Sequence, residues 1–283
     1  MSIVYLNGLL LPEEEARISP RDRGLLLGDS IFETMPVYSG RVFLLDRHLA
    51  RLADSAAAVL LNLPCSSEDL VRAVTDTIEA NGVAMGSVRL TVTRGVGPAG
   101  IDPLAETTPT VLVMTAAPRD LAPLKAAGVD VVISDVVRNL PAAVPCFAKT
   151  GNMLNNILGR AAASRAGAFE AVMLNTDGTV AEGTVSNVFA VIGGIVHTPP
   201  ADGRILPGVT RGAVLEILSE LNVAAVEQPF GMPELLSAEE IWLTNSLIEV
   251  LPVRSCAGRP LPGPWPVWQK VDAAYWAWVR RQC

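Results

Sequence analysis

The feature that most constrains the fold is an alternation of strand-like and helix-like hydrophobic patterns along 283 residues. Residues 87–94 (SVRLTVTR) alternate with a period of two, which predicts a strand. Residues 46–61 carry apolar side chains three and four positions apart, which predicts a helix. Half of the residues are hydrophobic, which is enough to bury a sizeable core. The pattern therefore predicts a mixed α/β protein.

The same patterns divide the chain near residue 120. The first part predicts strands at 2–7, 41–45, 87–94 and 110–116 and helices at 46–61 and 67–81. The second part predicts strands at 129–134, 171–175, 179–181, 187–191, 195–198 and 241–244 and helices at 152–166, 210–221 and 267–281. A stretch with two prolines lies between them. We therefore expect a smaller N-terminal α/β domain at 1–118, a linker at 119–123 and a larger C-terminal domain at 124–283.

Composition argues against several classes of function. The net charge is −7 and no block of like charges stands out, so a nucleic-acid partner is not expected. No secretory signal is recognised and the apolar stretches are too short for a membrane span, which favours a cytoplasmic protein. Four scattered cysteines are expected to be free thiols. With only His48 and His197 besides them, no metal site is expected.

Lysine chemistry can use only Lys125, Lys149 or Lys270, because the chain has no other lysine. Lys149 follows an apolar run and precedes a predicted helix, so partial burial would lower its pKa and favour a nucleophilic amine. Local sequence alone nevertheless favours an ordinary surface lysine. Cys146, three positions earlier, either lines a site or fills the core.

Three further segments offer groups for an anion. Residues 206–211 (LPGVTR) lead into a predicted helix, where the amides of Val209 and Thr210 are suited to a phosphate. Thr244, Asn245 and Ser246 follow an apolar strand, and Arg51 lies on a predicted helix. Taken singly, each segment fits an ordinary helix cap, loop or solvated helix face equally well.

Taken together and in order, six segments resemble the class IV aminotransferase family. They are RGLLLGDSIFET (23–34), LLDRHLARL (44–52), AKTGNMLNN (148–156), VAEGTVSNVF (180–189), LPGVTR (206–211) and LTNSLIEVLPV (243–253). The resemblance implies pyridoxal 5′-phosphate (PLP) as cofactor and the two-domain α/β fold of fold-type IV, like that of D-amino-acid aminotransferases. It also implies a homodimer, a small amino substrate and a PLP-binding role for the C-terminal domain.

The resemblance also implies a role for individual residues. Lys149 corresponds to the lysine that forms the Schiff base and carries the proton. Glu182, which alone would be read as an exposed turn residue, corresponds to the partner of the pyridine nitrogen. The other implied cofactor contacts are Leu206 on the ring, Arg51, Val209, Thr210 and Ser246 at the phosphate, and Asn245 beside them. Phe32 and Arg89 correspond to substrate-binding positions.

The activity within the family is less constrained. Branched-chain aminotransferases usually have tyrosine, glycine and arginine where this chain has Leu27, Thr34 and Pro36. D-amino-acid aminotransferases have an Arg-x-His signature where it has Pro98, Ala99 and Gly100.

The segments FET (32–34) and TNS (244–246) favour a 4-amino-4-deoxychorismate lyase, which releases pyruvate and 4-aminobenzoate for folate synthesis. In that reaction Thr34 would be the catalytic acid. The alternative is an aminotransferase acting on a D- or branched-chain amino acid and a 2-oxo acid. A third hypothesis is a non-catalytic ligand-binding protein with the same fold.

Overall fold

The computed structural model describes residues 2–283 and divides into two compact units. Unit 1 comprises the chain up to Arg119 together with Ala148–Met153 and Gln282–Cys283. Unit 2 comprises Asp120–Phe147 and Leu154–Arg281. The boundary near residue 120 falls within the expected linker. Ala148–Met153, however, packs with unit 1 and not with the domain expected at 124–283, because its backbone hydrogen-bonds to the strand that begins at Ser30.

Unit 1 is built on a six-stranded antiparallel sheet in the order β2-β1-β6-β5-β3-β4. Its elements are β1 Ile3–Leu6, β2 Leu9–Pro12, a 3₁₀ turn Glu13–Glu15, α1 Arg23–Leu27, β3 Ser30–Tyr38, β4 Arg41–Val42, α2 Leu45–Ala58, α3 Ser67–Ala80, β5 Met85–Val96 and β6 Thr108–Ala116. The expected strand at 41–45 is shorter than predicted, because Leu44 adopts a left-handed conformation and α2 begins at the next residue.

One face of this sheet packs against α2 and α3. The apolar side chains that form the core alternate along the strands and recur at helical spacing, among them Ile31, Met35, Leu49, Leu52, Leu70, Val74, Val88 and Leu90. A capping box between Ser66 and Asp69 starts α3, one residue before the first residue of the predicted helix. The other face of β3 and β5 carries Phe32, Thr34 and Arg89.

Unit 2 contains a nine-stranded mixed sheet, in the order β12-β11-β10-β13-β14-β7-β8-β9 with β15 paired to β14. Its elements are α4 Ala122–Ala127, β7 Val129–Ile133, α5 Leu154–Ala166, β8 Glu170–Leu174, β9 Val180–Gly183, β10 Asn187–Ile192, β11 Ile195–Thr198, α6 Val209–Glu220, β12 Ala225–Glu227, α7 Met232–Ser237, β13 Glu240–Asn245, β14 Glu249–Cys256, β15 Arg259–Pro260 and α8 Pro266–Gln282. Within residues 2–283, no helix has both the length and the apolar character needed to cross a bilayer.

The core of unit 2 explains why β14 forms, a strand that the sequence pattern did not predict. Phe189 on β10 stacks on Trp242 on β13, with ring centroids 5.7 Å apart. The neighbouring strand β14 contains Pro252, a residue that argues against a strand when it is judged from sequence. Pro252 nevertheless lies in register with Trp242, because burial of the apolar residues around it outweighs the missing backbone donor.

Candidate active site

Lys149 lies in the short segment that packs with unit 1. Its backbone N–H donates to Ser55 Oγ at 2.9 Å, and its carbonyl accepts from the Phe32 N–H at 3.0 Å. Thr150 forms an isolated bridge with Ile31. The Lys149 amine lies 4.5 Å from the centroid of the Phe32 ring, and the residue is half-buried. Lys149 is therefore held by defined backbone contacts and is not the solvated surface lysine that local sequence favoured.

The face of β3 and β5 beside Lys149 carries the predicted substrate residues. Thr34 lies opposite Arg89 in the antiparallel register, so their side chains share one face of the sheet. The Arg89 guanidinium lies 3.7 Å above the Phe32 ring, and its Nε donates to Thr91 Oγ1 at 3.3 Å. Burial lowers the pKa of Arg89. Among the described residues no carboxylate pairs with Arg89, so it is suited to an anionic group of a ligand.

On the core face of the same strand, Glu33 binds Arg51 and His48. Arg51 donates from Nε to Glu33 Oε1 at 2.8 Å and from a terminal nitrogen to Oε2 at 2.7 Å. His48 Nδ1 lies 2.7 Å from Oε2. Burial acts to raise the pKa of Glu33, but the hydrogen bonds from Arg51 and His48 outweigh it and lower the pKa to about 2.

Sequence reasoning selected Arg51 and missed Glu33, which accepts its hydrogen bonds, and His48, which contacts Glu33. Burial lowers the pKa of His48 against the opposing effect of Glu33, which makes the neutral ring with its proton on Nδ1 the form that fits this contact. The available signal was an acidic residue between Ile31 and Met35 on the apolar face of a strand, because a buried carboxylate needs a charged or hydrogen-bonding partner.

Glu182 lies on β9 in unit 2 and is buried, not exposed as its local sequence suggested. Its Oε1 accepts from Arg138 Nε at 2.8 Å and also forms an ion pair with a terminal nitrogen of Arg138. Its Oε2 accepts from Asn187 Nδ2 at 3.2 Å and from the Leu206 backbone N–H at 3.1 Å. Leu206, predicted to contact the cofactor ring, is therefore adjacent to Glu182. Arg138 and Asn187 were not predicted.

The segment 206–211 begins α6 without a side-chain cap. Gly208 is the N-cap residue, and α6 starts at Val209 and Thr210, both of which are buried. A Cβ on Gly208 would lie 2.0 Å from Asn187 Oδ1, so only glycine fits at this close approach. Arg211 donates to the Pro199 carbonyl and Glu227. The first turn of α6 therefore offers backbone donors and a hydroxyl to an anion.

The end of β13 shows different uses for the predicted pair Asn245 and Ser246. Asn245 Nδ2 donates to the Val185 carbonyl at 2.9 Å, and Oδ1 accepts from the Leu247 and Ile248 amides. Its side chain therefore shapes the turn. Ser246 is half-buried, and no other described residue accepts or donates a hydrogen bond to its hydroxyl.

Cys146 is buried in unit 2 and its Sγ donates to the Asn139 carbonyl at 3.1 Å. Burial raises the pKa of its thiol, so it is protonated at neutral pH. In this environment Cys146 contributes packing within the loop that precedes Ala148.

Residues 30–256 match the model of the family described as amino-transferase class IV. A protein of Methanocaldococcus jannaschii, provisionally assigned as a branched-chain-amino-acid aminotransferase, is 38% identical over 90% of this chain and 88% of its own. The D-alanine aminotransferase of Bacillus licheniformis is 34% identical over 92% of each chain. The aminodeoxychorismate lyase of Bacillus subtilis is 32% identical over 88% of this chain and 85% of its own.

Solved structures give the same fold. The branched-chain amino acid aminotransferase of Escherichia coli superposes with a TM-score of 0.92 at 28% identity, over 98% of this chain and 94% of the other. That of Thermobaculum terrenum, solved in its PLP form, superposes with a TM-score of 0.90 at 23% identity, over 100% of this chain and 95% of the other. The fold expected from the resemblance is confirmed.

Proposed function

Because this chain belongs to the class IV aminotransferase family of PLP-dependent enzymes, we propose that it moves an amino group between an amino acid and a 2-oxo acid. The relatives at 38% and 34% identity, both aminotransferases by name, support this choice over the lyase at 32%. The observation that carries the proposal is the Phe32 ring, which contacts both the Lys149 amine and the Arg89 guanidinium. Membership of an enzyme family removes the hypothesis of a non-catalytic binding protein.

The residues present fit PLP by their chemistry. An aldehyde needs an amine, and Lys149 supplies one in unit 1. A pyridine nitrogen that must stay protonated needs a carboxylate, and Glu182 is a buried one in unit 2. A phosphate needs N–H and O–H donors, which the uncapped start of α6, Thr210 and Ser246 offer, and the close approach at Gly208 leaves no room for a side chain there.

Lys149 and Glu182 have different roles in the proposed amino transfer. When bound, PLP supplies an aldehyde that takes up the substrate amine and a ring that withdraws electrons from the amine-bearing carbon. Lys149 Nζ removes the proton from that carbon. Glu182, fixed by Arg138, Asn187 and the Leu206 amide, holds a proton at the pyridine nitrogen. For amino transfer, Lys149 must also return the proton that it has taken.

Arg89 is proposed to bind a substrate carboxylate. Its guanidinium lies 3.7 Å from the centroid of the Phe32 ring in a partly desolvated position, which strengthens an ion pair with an incoming anion. A substrate carboxylate bound to Arg89 would lie beside the Phe32 ring, which the Lys149 amine also contacts. We expect Arg89→Leu to raise the KM for the acidic substrate by roughly 10-fold or more while Lys149 still binds the cofactor.

The aminodeoxychorismate lyase reaction is the second candidate, because Thr34 places a half-buried hydroxyl on the face that carries Arg89. In an elimination the leaving enolpyruvyl group needs a proton, which this hydroxyl could give. Thr34→Ala would then abolish elimination and leave amino transfer largely intact.

The cofactor experiment uses the purified chain loaded with PLP. Borohydride reduction followed by peptide mass spectrometry should place the cofactor on Lys149, and Lys149→Ala should lose both the adduct and turnover. Lys270→Ala, at an exposed lysine of α8, is the matched control and should keep both. Full turnover by Lys149→Ala, or labelling only of another lysine, would remove the basis for the proposal.

The reaction is decided by two assays on the same protein. Amino acids of both enantiomers are supplied with 2-oxoglutarate or pyruvate, and 4-amino-4-deoxychorismate is supplied separately. Conversion of the bound cofactor to pyridoxamine phosphate by an amino acid supports the aminotransferase. Formation of 4-aminobenzoate and pyruvate without that conversion would replace it with the lyase.

A further inference from the structure

Glu33, His48 and Arg51 form a buried polar cluster inside the apolar core of unit 1. Their exposed fractions are 0%, 1% and 8%, and the surrounding side chains of β3 and α2, such as Met35 and Leu52, are apolar. Taking a carboxylate and a guanidinium out of water is costly unless their geometry is nearly ideal. A cluster kept at this cost has a use beyond packing.

The geometry leaves Arg51 little rotational freedom. Its Nε and one terminal nitrogen each bond a different oxygen of Glu33, at 2.8 and 2.7 Å, which fixes the plane of the guanidinium. His48 Nδ1 lies 2.7 Å from Glu33 Oε2, the oxygen that also accepts from the terminal nitrogen of Arg51, so His48 supports the carboxylate in the orientation that Arg51 uses. Other charged groups that act on His48 are Arg51 itself and Lys149.

The cluster is continuous with the segment that carries Lys149. His48, Arg51 and Ser55 share one face of α2, at positions i, i+3 and i+7. Ser55 Oγ donates to the Arg51 carbonyl at 2.8 Å and accepts from the Lys149 N–H at 2.9 Å. One helix face therefore holds both the guanidinium and the lysine backbone.

We propose that Glu33 and His48 are positioning residues that pre-orient Arg51, the residue that the resemblance assigns to the cofactor phosphate, an inference that rests on the proposed binding of PLP. The direction in which removal of Glu33 changes phosphate binding distinguishes pre-orientation from a purely electrostatic effect. Glu33 cancels the charge of Arg51, so electrostatics alone would have its removal tighten phosphate binding. Pre-orientation requires the opposite, because a freed guanidinium must lose side-chain entropy when it binds.

The test compares equilibrium binding of PLP with that of pyridoxal, which lacks the phosphate. The binding ratio is the dissociation constant of pyridoxal divided by that of PLP. It isolates the phosphate contact, because the two ligands share all other contacts, and a lost phosphate contact lowers it. Glu33→Gln should weaken PLP binding about 10-fold, the scale of one hydrogen bond to a charged group, and change pyridoxal binding less than 2-fold. Glu79→Gln, at an exposed acid of α3, is the matched control and should change neither constant.

Two substitutions of His48 provide a second test in which the carboxylate of Glu33 is retained. The amide nitrogen of asparagine can replace Nδ1, so His48→Asn should keep the binding ratio, whereas His48→Leu should lower it as Glu33→Gln does. In Arg51→Leu protein the ratio should already be low, and adding His48→Leu should not lower it further. If Glu33→Gln fails to fold, the His48 pair decides the question.

Three outcomes would overturn the inference: tighter PLP binding in the variants, an unchanged ratio, or equal weakening of PLP and pyridoxal. The last would show a role in folding alone. Failure of the wild-type chain to bind PLP at all would instead refute the proposed function. The two failures are therefore distinguished within the same set of measurements.

Discussion

Glu33 links the protonation of one residue to the stability of unit 1. Burial acts to raise its pKa, but hydrogen bonds from Arg51 and His48 lower it from 4.5 to about 2. A carboxyl whose pKa is lower in the folded state stabilises that state above its unfolded pKa. This contribution is lost as the pH falls through the folded pKa.

We therefore expect Glu33 to make the protein acid-sensitive between about pH 4.5 and pH 2. The free energy of unfolding, measured by urea titration at several pH values, should fall more steeply across this range in the wild type than in Glu33→Gln. Other carboxyls titrate in both proteins, so the difference between the two slopes reports on Glu33. Parallel slopes would contradict the pairing described for the cluster.

Arg138 is the corresponding partner residue in unit 2. Its loss in Arg138→Leu would leave the buried Glu182 carboxylate without its guanidinium partner, at a cost of about 3 kcal/mol in the free energy of unfolding. The double variant Arg138→Leu/Glu182→Leu should recover much of that stability, because neither charge remains buried. Chemical denaturation measures both, and the double variant should still lack activity. Equal stability of the single variant and the wild type would count against the prediction.

At the level of elements, the segment after Lys149 depends on a close approach to the start of β3. Gly151 donates its N–H to the Ser30 carbonyl at 2.7 Å. A Cβ on Gly151 would lie 2.1 Å from Ser30 Oγ but 3.5 Å from Ser30 Cβ. The obstacle is therefore one hydroxyl, which a second substitution can remove.

Gly151→Ala should displace the segment that carries Lys149 and reduce the yield of cofactor fixed by borohydride by about 10-fold or more, as expected for a misplaced reacting group. The double variant Gly151→Ala/Ser30→Ala should recover most of the yield, and Ser30→Ala alone is the control. If the double variant behaves like Gly151→Ala, the hydroxyl is not the obstacle.

At the level of the whole molecule, homodimeric assembly stays a prediction from the resemblance, and a cytoplasmic location stays a prediction from the sequence. In unit 1 the helix α1 exposes three consecutive leucines, Leu25, Leu26 and Leu27, at 69%, 62% and 47%. Contiguous exposed apolar side chains are typical of surfaces that bind another protein. A second copy of the chain is the partner that the family implies.

We expect the wild type to sediment as a dimer and Leu25→Asp/Leu26→Asp to shift it towards monomer, because charged side chains cannot be buried in an apolar contact. Leu221→Asp is the control, since Leu221 is also exposed but lies at the end of α6 in unit 2. Analytical ultracentrifugation over a range of concentrations measures the shift. A wild-type monomer, or a dimer untouched by both substitutions, would refute the assignment of α1.

The sequence by itself determined the local elements and the family. Hydrophobic periodicity located α2, α3, β5 and most strands of unit 2 to within a few residues, because these elements depend on neighbours along the chain. Ordered motifs selected Lys149, Glu182 and the start of α6 as candidate site residues, which stay predictions, and the fold followed from the resemblance.

Only the tertiary structure decided which side chains meet. Glu182 binds Arg138, which is 44 positions away, and the Lys149 backbone binds Ser55, which is 94 positions away. Glu33 and His48 lie within two of the ordered segments, but the contacts of Glu33 with His48 and with Arg51 exist only because α2 packs on β3. Periodicity reports which face of an element is buried, whereas pairing of buried charges depends on contacts between elements that a linear pattern does not contain.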